Sequence, residues 1–273
     1  MRLDVEGVAC HCATGGRKHV PGRPWVVFLH GAGSSHLAWL LQTRALAYDG
    51  WNVIAPDLPG HFLSSGTAIG DIGEQARFVL ALMRAAGAGR ASVAGHSMGG
   101  LIALEMARID PDSVDAIAFV ATAAAIPVND WLIDCAQSDE ERAFASMTAW
   151  AHGPKAHLND NSWPGASHIG FGVDAMRRNA AGSLAIDLKA CAAYRGGMQA
   201  AAMLACPTLC VLARGDRMTP MRQGMRLAEA LADNETVIVE DCGHTIPTEA
   251  PRELNAALRR FLPGVVARVA GAA

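Results

Sequence analysis

Short apolar runs alternate with longer helical patterns along most of this sequence, and this alternation constrains the fold more than any other feature. Strands that are apolar on both faces are typical of a parallel sheet whose two faces are covered by helices. We predict an α/β fold with a mostly parallel, doubly wound sheet of about eight strands, to which the first dozen residues add an antiparallel edge. The clearest strand predictions are 25–29, 51–55, 91–95, 116–121, 208–213 and 236–240.

The composition indicates one large soluble domain, or a domain with a sizeable insertion. The chain has 273 residues, of which 51% are hydrophobic and 18% are charged, and this is enough apolar material for a packed core. The net charge of -3 provides no basic surface for nucleic acid or for an anionic membrane, so we expect neither partner. The first seven residues include acids where a signal peptide would be apolar, and the longest apolar stretch, 116–128, is too short to span a bilayer.

The cysteines bear on location and on metal binding. Their number, seven, is odd and their spacing is irregular, which favours reduced thiols and a cytoplasmic location. The segment Cys10-His11-Cys12 carries ligand-type side chains, but no second pair lies at a useful spacing to complete a tetrahedral site. We therefore predict no metal.

A long region without strand-like runs interrupts the alternation between 127 and 186. It is too long for an ordinary connection, so we predict a mainly helical insertion after the sixth strand. The core domain would then comprise residues 1–126 and 187–273, and the insertion would comprise residues 127–186.

The pentapeptide Gly95-His96-Ser97-Met98-Gly99 matches the G-x-S-x-G nucleophile elbow, in which a serine sits on a strained turn between a strand and a helix. A short buried strand precedes it and a helix without proline follows it, as the motif requires. The flanking glycines fit this reading because neighbouring side chains would collide in so tight a turn. We predict Ser97 as a nucleophile.

A serine nucleophile needs a base, and the base needs an acid to orient it. His244 follows the last predicted strand and precedes the last helix, so it is expected at the same sheet edge as Ser97. Asp216 follows the strand 208–213 and is our preferred acid, while Asp241 remains a competitor because it lies three residues from His244. Thr219-Pro220 predicts the start of the next helix, with Thr219 as its N-cap.

Backbone amides near Ser97 are candidates for an oxyanion hole. The loop Gly31-Ala32-Gly33 follows the strand 25–29, so the amides of Ala32 and Met98 are the predicted donors. The loop has neither the third glycine of a dinucleotide fingerprint nor the Lys-Ser/Thr of a P-loop, which argues against a phosphate site. His30 is expected to brace this loop.

Together these motifs resemble those of the α/β-hydrolase family over residues from about 25 to 262. The resemblance implies a triad of Ser97, Asp216 and His244, a cap over the pocket and no cofactor. The sequence departs from the family at Phe62, where glycine is usual, so Phe62 either reaches the pocket wall or the cap, or anchors its loop. The segments that carry the resemblance are His30-Gly31-Ala32-Gly33, Asp57-Leu58-Pro59-Gly60-His61, Gly95-His96-Ser97-Met98-Gly99-Gly100, Gly215-Asp216, and Gly243-His244 with Glu249-Ala250-Pro251.

The leading functional hypothesis is a serine hydrolase that cleaves a small or medium carboxylic ester, thioester or lactone through an acyl-enzyme. Similar enzymes that attack sp3 carbon carry aspartate at the elbow, so Ser97 favours acyl substrates. An alternative is carbon-carbon bond hydrolysis of a vinylogous diketone. Enzymes of that type resemble one another in having a tryptophan directly after the base histidine, and Thr245 at that position in this chain argues against the alternative. A ligand-binding receptor and a cofactor-free peroxidase or perhydrolase are alternatives of another class.

The partner is expected to be a small molecule with an apolar acyl or alcohol part. The oligomeric state is left open by the sequence. Our candidates for the pocket wall are His30, Phe62, Trp131, Trp150 and Trp163.

Overall fold

The computed structural model describes residues 1–158 and 167–272, and it contains an eight-stranded sheet with strand order β1-β2-β4-β3-β5-β6-β7-β8. The pairs β1–β2 and β2–β4 are antiparallel, and all the other pairs are parallel. The predicted mostly parallel sheet with an antiparallel edge is confirmed. The strands are β1 Arg2–Val5, β2 Val8–Ala13, β3 Trp25–Leu29, β4 Asn52–Pro56, β5 Ala91–His96, β6 Val114–Val120, β7 Thr208–Ala213 and β8 Asn234–Val239.

Helices cover both faces of the sheet. They are α1 Leu40–Tyr48, α2 Ile72–Ala85, α3 Met98–Ile109, α4 Asp130–Ser138, α5 Glu140–Ala151, α6 Pro154–His157, α7 His168–Arg177, α8 Ser183–Ala193, α9 Gly197–Ala202, α10 Met221–Ala230, α11 Ile246–Glu249 and α12 Pro251–Ala272. Among these described residues, no helix is both long enough and apolar enough to cross a membrane.

The core consists of two apolar layers, one on each face of the sheet. Val27 and Leu29 of β3 pack in one layer with residues of α2, α3 and α10, whereas Val26 and Phe28 pack in the other with residues of α1 and α12. Successive strand residues point to opposite faces, so a fully apolar β3 needs a helical layer on each side.

The region between β6 and β7 contains the helices α4 to α9, and no strand occurs in its described part, 121–158 and 167–207. The described part of the predicted insertion therefore contains helices and no strand. Its predicted end at residue 186 lies inside α8, which continues to Ala193. The division into core and insertion stays a prediction.

Candidate active site

Ser97 occupies a sharp turn between β5 and α3. Its backbone has φ 53° and ψ -118°, a conformation that L-residues rarely adopt. A side chain on Gly95 would collide with the carbonyl oxygen of Gly99, and one on Gly99 would collide with the carbonyl oxygen of Leu29. The two glycines thus allow the chain to cross itself at the turn and hold Ser97 at the end of the strand.

His244 and Asp216 form a buried hydrogen-bonded pair. His244 Nδ1 lies 2.9 Å from Asp216 Oδ2, and the two side chains are 4% and 1% exposed. Burial alone would raise the pKa of Asp216, but His244 and the hydrogen bonds from Thr219 hold this pKa below its ordinary value. Because Nδ1 faces the carboxylate, Nε2 is the ring nitrogen left to exchange a proton with another group.

The loop after β7 is arranged around the Asp216 carboxylate. Asp216 Oδ1 accepts the backbone N–H groups of Met218 and Thr219, each at 2.8 Å, and Oδ2 accepts the Thr219 hydroxyl at 2.8 Å. The N-cap position of α10 is Pro220 and not Thr219, so the predicted capping role of Thr219 is wrong. Its hydroxyl instead donates to the carboxylate of Asp216, a contact that the local sequence pattern did not predict.

Asp241 lies away from this pair. Its side chain is 74% exposed, and its carboxylate is 3.2 Å from the ammonium group of Lys155. Of the two aspartates considered from the sequence, the structure brings Asp216 and not Asp241 to His244. The backbone of Asp241 has a positive φ of 49°, so the loop turns sharply there before it reaches the histidine.

The loop that follows β3 is held by side chains from the region between β6 and β7. The N–H of Gly33 donates to Asp187 Oδ2 at 2.8 Å, and the carbonyl of Gly33 accepts from Asn179 Nδ2 at 2.7 Å. The predicted donor Ala32 lies beside this glycine and shares a cavity with Ser97. The second predicted donor, Met98, is the first residue of α3, where a backbone N–H has no acceptor within the helix.

A buried ion pair of His61 and Asp187 supports the same loop. His61 Nε2 lies 2.9 Å from Asp187 Oδ2, and His61 Nδ1 lies 3.0 Å from the carbonyl oxygen of Pro59, so both ring nitrogens face acceptors. Burial alone would lower the pKa of His61, but Asp187 and the two hydrogen bonds raise it above its ordinary value. This arrangement fits an imidazolium bound to a carboxylate, both almost fully buried.

Two further histidines brace the site in the neutral form. His30 Nδ1 contacts the carbonyl oxygen of Gly31 at 2.9 Å, and Nε2 accepts the N–H of Leu58 at 3.1 Å. Burial is the main reason that the pKa of His30 falls to about 4. His96 Nε2 lies 2.9 Å from the carbonyl oxygen of His244, and burial followed by the charge of His244 lowers the pKa of His96 to about 3.

The base loop is bonded to helix α5. The N–H of His244 donates to the carbonyl oxygen of Ala151 at 2.6 Å. Glu249 accepts the N–H of Gly153 at 2.8 Å through Oε2 and the hydroxyl of Thr245 at 2.7 Å through Oε1. Glu249 was noted in the sequence because it follows His244 closely, but its contact with the distant Gly153 could not be predicted from the sequence.

Two cavities meet at Ser97. The smaller one has a volume of about 80 Å³ and contains His244 together with apolar side chains that include Phe171 and Met176. The larger one has a volume of about 310 Å³ and is bounded by Trp150 and Arg217, among others. Ser97 lines both cavities, so a group bonded to its hydroxyl can extend in two directions.

The predicted pocket residues are only partly placed at these cavities. Trp150 lines the larger one, whereas His30, Phe62 and Trp131 are not among the residues that line either cavity. His30 is fully buried, Phe62 lies against the His36 ring, and Trp131, which is 40% exposed, contacts Trp150 with the two ring planes tilted by 52°. The prediction for Trp163 lies outside the described residues.

Within the described ranges, one group of side chains has the spacing of metal ligands: His11, His36 and Asp57, whose candidate ligand atoms lie within 4.8 Å of one another. Both carboxylate oxygens of Asp57 already accept hydrogen bonds, from His36 and from the N–H of Leu63. Cys10 and Cys12 are fully buried in the apolar core. The hydrogen bonds of Asp57 with His36 and Leu63 therefore stabilise the loop after β4.

A serine on a strained turn at the head of a helix, on a mostly parallel sheet, is the arrangement that the nucleophile-elbow motif requires. A model of the Alpha/beta hydrolase family matches residues 26–257. The chain therefore belongs to this family, which confirms the resemblance found in the motifs and the prediction of an enzyme of that family.

Among curated proteins, the chain is similar to the dihydrolipoyllysine-residue acetyltransferase component of an acetoin cleaving system from Cupriavidus necator, with 38% identity over 119 residues. That match covers 43% of this chain, and the chain spans only 30% of the length of that relative. A longer match, 26% identical over 253 residues, joins 88% of this chain to 93% of a protein from Agrobacterium fabrum named "Putative carbamate hydrolase RutD".

Among solved structures, the enol-lactonase from Burkholderia xenovorans LB400 superposes with a TM-score of 0.86 at 23% identity, over 96% of this chain and 100% of that one. At this identity the likeness shows the shared fold.

Proposed function

We propose that this protein is a serine hydrolase that cleaves a small or medium carboxylic ester, thioester or lactone through an acyl-enzyme. The observation that carries the proposal is the buried His244–Asp216 pair, which shares a cavity with Ser97 on its strained turn. Serine is a weak nucleophile at neutral pH, and an imidazole oriented by a carboxylate is the usual means of activating it.

In the proposed reaction, His244 Nε2 takes the proton from Ser97 Oγ as the oxygen attacks the substrate carbonyl. Asp216 stabilises the imidazolium that forms, and its short bond to Nδ1 keeps the ring in the orientation that this transfer needs. The amides of Ala32 and Met98 would hold the negative oxygen of the tetrahedral intermediate. The histidine then protonates the leaving group, and a water molecule activated by His244 hydrolyses the acyl-enzyme.

The names of two similar proteins fit this chemistry, because both refer to substrates with a carbonyl carbon that a nucleophile can attack. A lactone, as in the name of the enol-lactonase, is a cyclic ester, and a carbamate also presents a carbonyl carbon to a nucleophile. The apolar wall of the smaller cavity supports a substrate with an apolar part.

The proposal also includes the surroundings of the site. Residues 127–186 would act as a cap, since Met147, Trp150 and Met176 from this stretch line the cavities at Ser97. All seven cysteines are free thiols in the structure, which fits the proposed cytoplasmic location.

A series of p-nitrophenyl esters with increasing acyl length tests the proposal. We expect turnover by the natural protein and a loss to the background rate in Ser97→Ala. Ser138→Ala is the matched control, because this serine lies on α4 with its hydroxyl bonded to the backbone of Asp134. Equal rates for the natural protein and Ser97→Ala would contradict the proposal.

A further inference from the structure

We propose that the larger cavity beside Ser97 binds an anionic group of the substrate, and that Arg217 is the residue that selects it. This inference rests on the proposed hydrolase function, because it assigns a substrate class to the same site. The substrate would be an ester with a neutral apolar part on one side of the reacting carbonyl and a carboxylate or similar anion on the other.

The position of the cavity supports a role in substrate binding. It shares Ser97 and Ala32 with the smaller cavity, so a substrate whose carbonyl lies at Ser97 can extend into both cavities. Most of the wall of the larger cavity is apolar, with Leu132, Trp150 and Leu188 among its residues. These side chains can pack against the hydrocarbon part of a substrate, while Arg217 lies at the solvent-exposed part of the lining.

Arg217 is the one charged side chain among the described residues that line this cavity. A guanidinium stays protonated in proteins, and its planar N–H groups match the two oxygens of a carboxylate. Among the described residues that line the smaller cavity there is no lysine or arginine; its histidines are the proposed base His244 together with His96 and His152, and burial lowers the pKa of the last two. The charge difference between the two cavities gives the substrate a preferred direction.

The guanidinium of Arg217 is available to a ligand. The neighbouring Arg214 pairs with Glu240 at 2.8 Å, whereas Arg217 forms no ion pair with an acid in the described part of the chain. The adjacent Asp216 directs its oxygens to His244 and to the loop N–H groups, so it does not bind the guanidinium. The same bonds fix the loop backbone on both sides of Arg217.

Two matched pairs of esters test the selection. Monoethyl glutarate and ethyl 4-carbamoylbutanoate differ by an anion on the acyl side, and 4-acetoxybenzoate and 4-acetoxybenzamide differ by an anion on the alcohol side. We expect that in at least one pair the natural protein prefers the anionic member by about tenfold or more in kcat/KM. In Arg217→Gln this preference should be lost through a higher KM for the anionic ester, with the neutral ester changed by less than about twofold.

Arg217→Lys should retain part of the preference, because a lysine keeps the charge without the planar fork. Arg214→Gln is the control, since it removes a cation from the same loop that faces Glu240 on the surface. The absence of any preference in the natural protein, or an equal change for both members of each pair in Arg217→Gln, would overturn the inference.

A binding measurement separates this inference from the proposed function. Calorimetry with glutarate and with benzoate, on Ser97→Ala with and without Arg217→Gln, should show at least one anion bound about tenfold more weakly when Arg217 is replaced. Arg217-dependent binding without ester turnover by the natural protein would contradict the proposed function and leave the anion site standing. Turnover that depends on Ser97, with binding and selectivity independent of Arg217, would overturn the anion site alone.

Discussion

The loops at the strand ends and the helical region between β6 and β7 contribute to the candidate site in different ways. The strand ends present the three groups proposed to do the chemistry, Ser97, Asp216 and His244. The helical region contributes hydrogen-bond acceptors for those loops: Asp187 accepts the N–H of Gly33, and the carbonyl of Ala151 accepts the N–H of His244.

The two regions therefore have different roles: the strand ends carry the proposed reacting groups, and the helical region holds the loops in place. The strand ends set the positions of the proposed reacting groups through local backbone geometry, such as the strained φ of Ser97. The helical region holds the loop that carries the proposed oxyanion-hole amide and the loop that carries the proposed base. The contact between Gly33 and Asp187 joins residues that are 154 positions apart in the chain. Substitutions of the proposed reacting groups should therefore lower turnover most, while those in the helical region should lower turnover and stability together.

The largest effect is expected for Asp216→Asn. The amide no longer holds His244 in the tautomer that can take the serine proton, so kcat should fall by about 10,000-fold with the fold intact. Asp241→Asn is the control and should retain nearly normal kcat, because Asp241 is paired with Lys155 on the surface. A steady-state rate measurement that showed the opposite ranking would move the acid to Asp241.

Asp187→Asn tests the support that the helical region gives to the oxyanion loop. It removes the partner of the buried His61 and weakens the acceptor of the Gly33 N–H, so kcat/KM should fall by about 100-fold. The free energy of unfolding should fall by about 3–5 kcal/mol, since a buried pair loses one member. Urea unfolding and ester kinetics on the same preparations would measure the two effects.

The control for this variant is Asp174→Asn on α7, which breaks an exposed pair with Arg177. Its free energy of unfolding should change by less than about 1 kcal/mol, and its kcat/KM should stay normal. If Asp187→Asn proved no more harmful than Asp174→Asn, the helical region would have no supporting role at Gly33.

Glu249→Gln tests the connection between the base loop and helix α5. The amide has one acceptor oxygen where the carboxylate has two, so it cannot accept both the N–H of Gly153 and the Thr245 hydroxyl, and kcat should fall by about tenfold at unchanged KM. Glu253→Gln, an exposed change on α12, is the matched control. Equal kinetics for the two variants would show that the loop keeps its position without the carboxylate.

The smallest effect concerns acid stability at the strand ends. The pKa values of about 4 for His30 and about 3 for His96 lie below the ordinary value near 6.5, so the unfolded chain binds protons that the folded protein does not. Stability is therefore lost as pH falls below about 6.5, by about 1.4 kcal/mol per pH unit for each of these histidines. His96→Gln should reduce the slope of the unfolding free energy between pH 6.5 and 4.5 by about one proton, and an unchanged slope would contradict the neutral, buried His96.

Local patterns predicted the strand ends well because the information lies within a few residues. The predictions 25–29 and 208–213 coincide with β3 and β7, and the placement of Ser97 and His244 after strands followed from the same pattern. The N-cap prediction for Thr219 failed because its hydroxyl has a better acceptor in Asp216, a tertiary contact that overrides the local preference.

The supporting contacts were beyond the sequence because their partners are far apart in the chain. His61 and Asp187 are 126 residues apart, and Gly153 and Glu249 are 96 apart, so no local spacing connects them. Trp131 and Trp150 have equal standing as pocket candidates in the sequence, but of these two only Trp150 lines one of the two described cavities at Ser97. Which side of a helix faces the substrate depends on packing that one sequence does not display.

The central claim, that Ser97 is an activated nucleophile, is tested most directly by reaction with a fluorophosphonate followed by intact mass and peptide mapping. We predict a single adduct on Ser97, and we predict that Asp216→Asn slows its formation strongly while Asp241→Asn does not. A natural protein that remains unlabelled at Ser97, or that is labelled at another residue, would contradict the account.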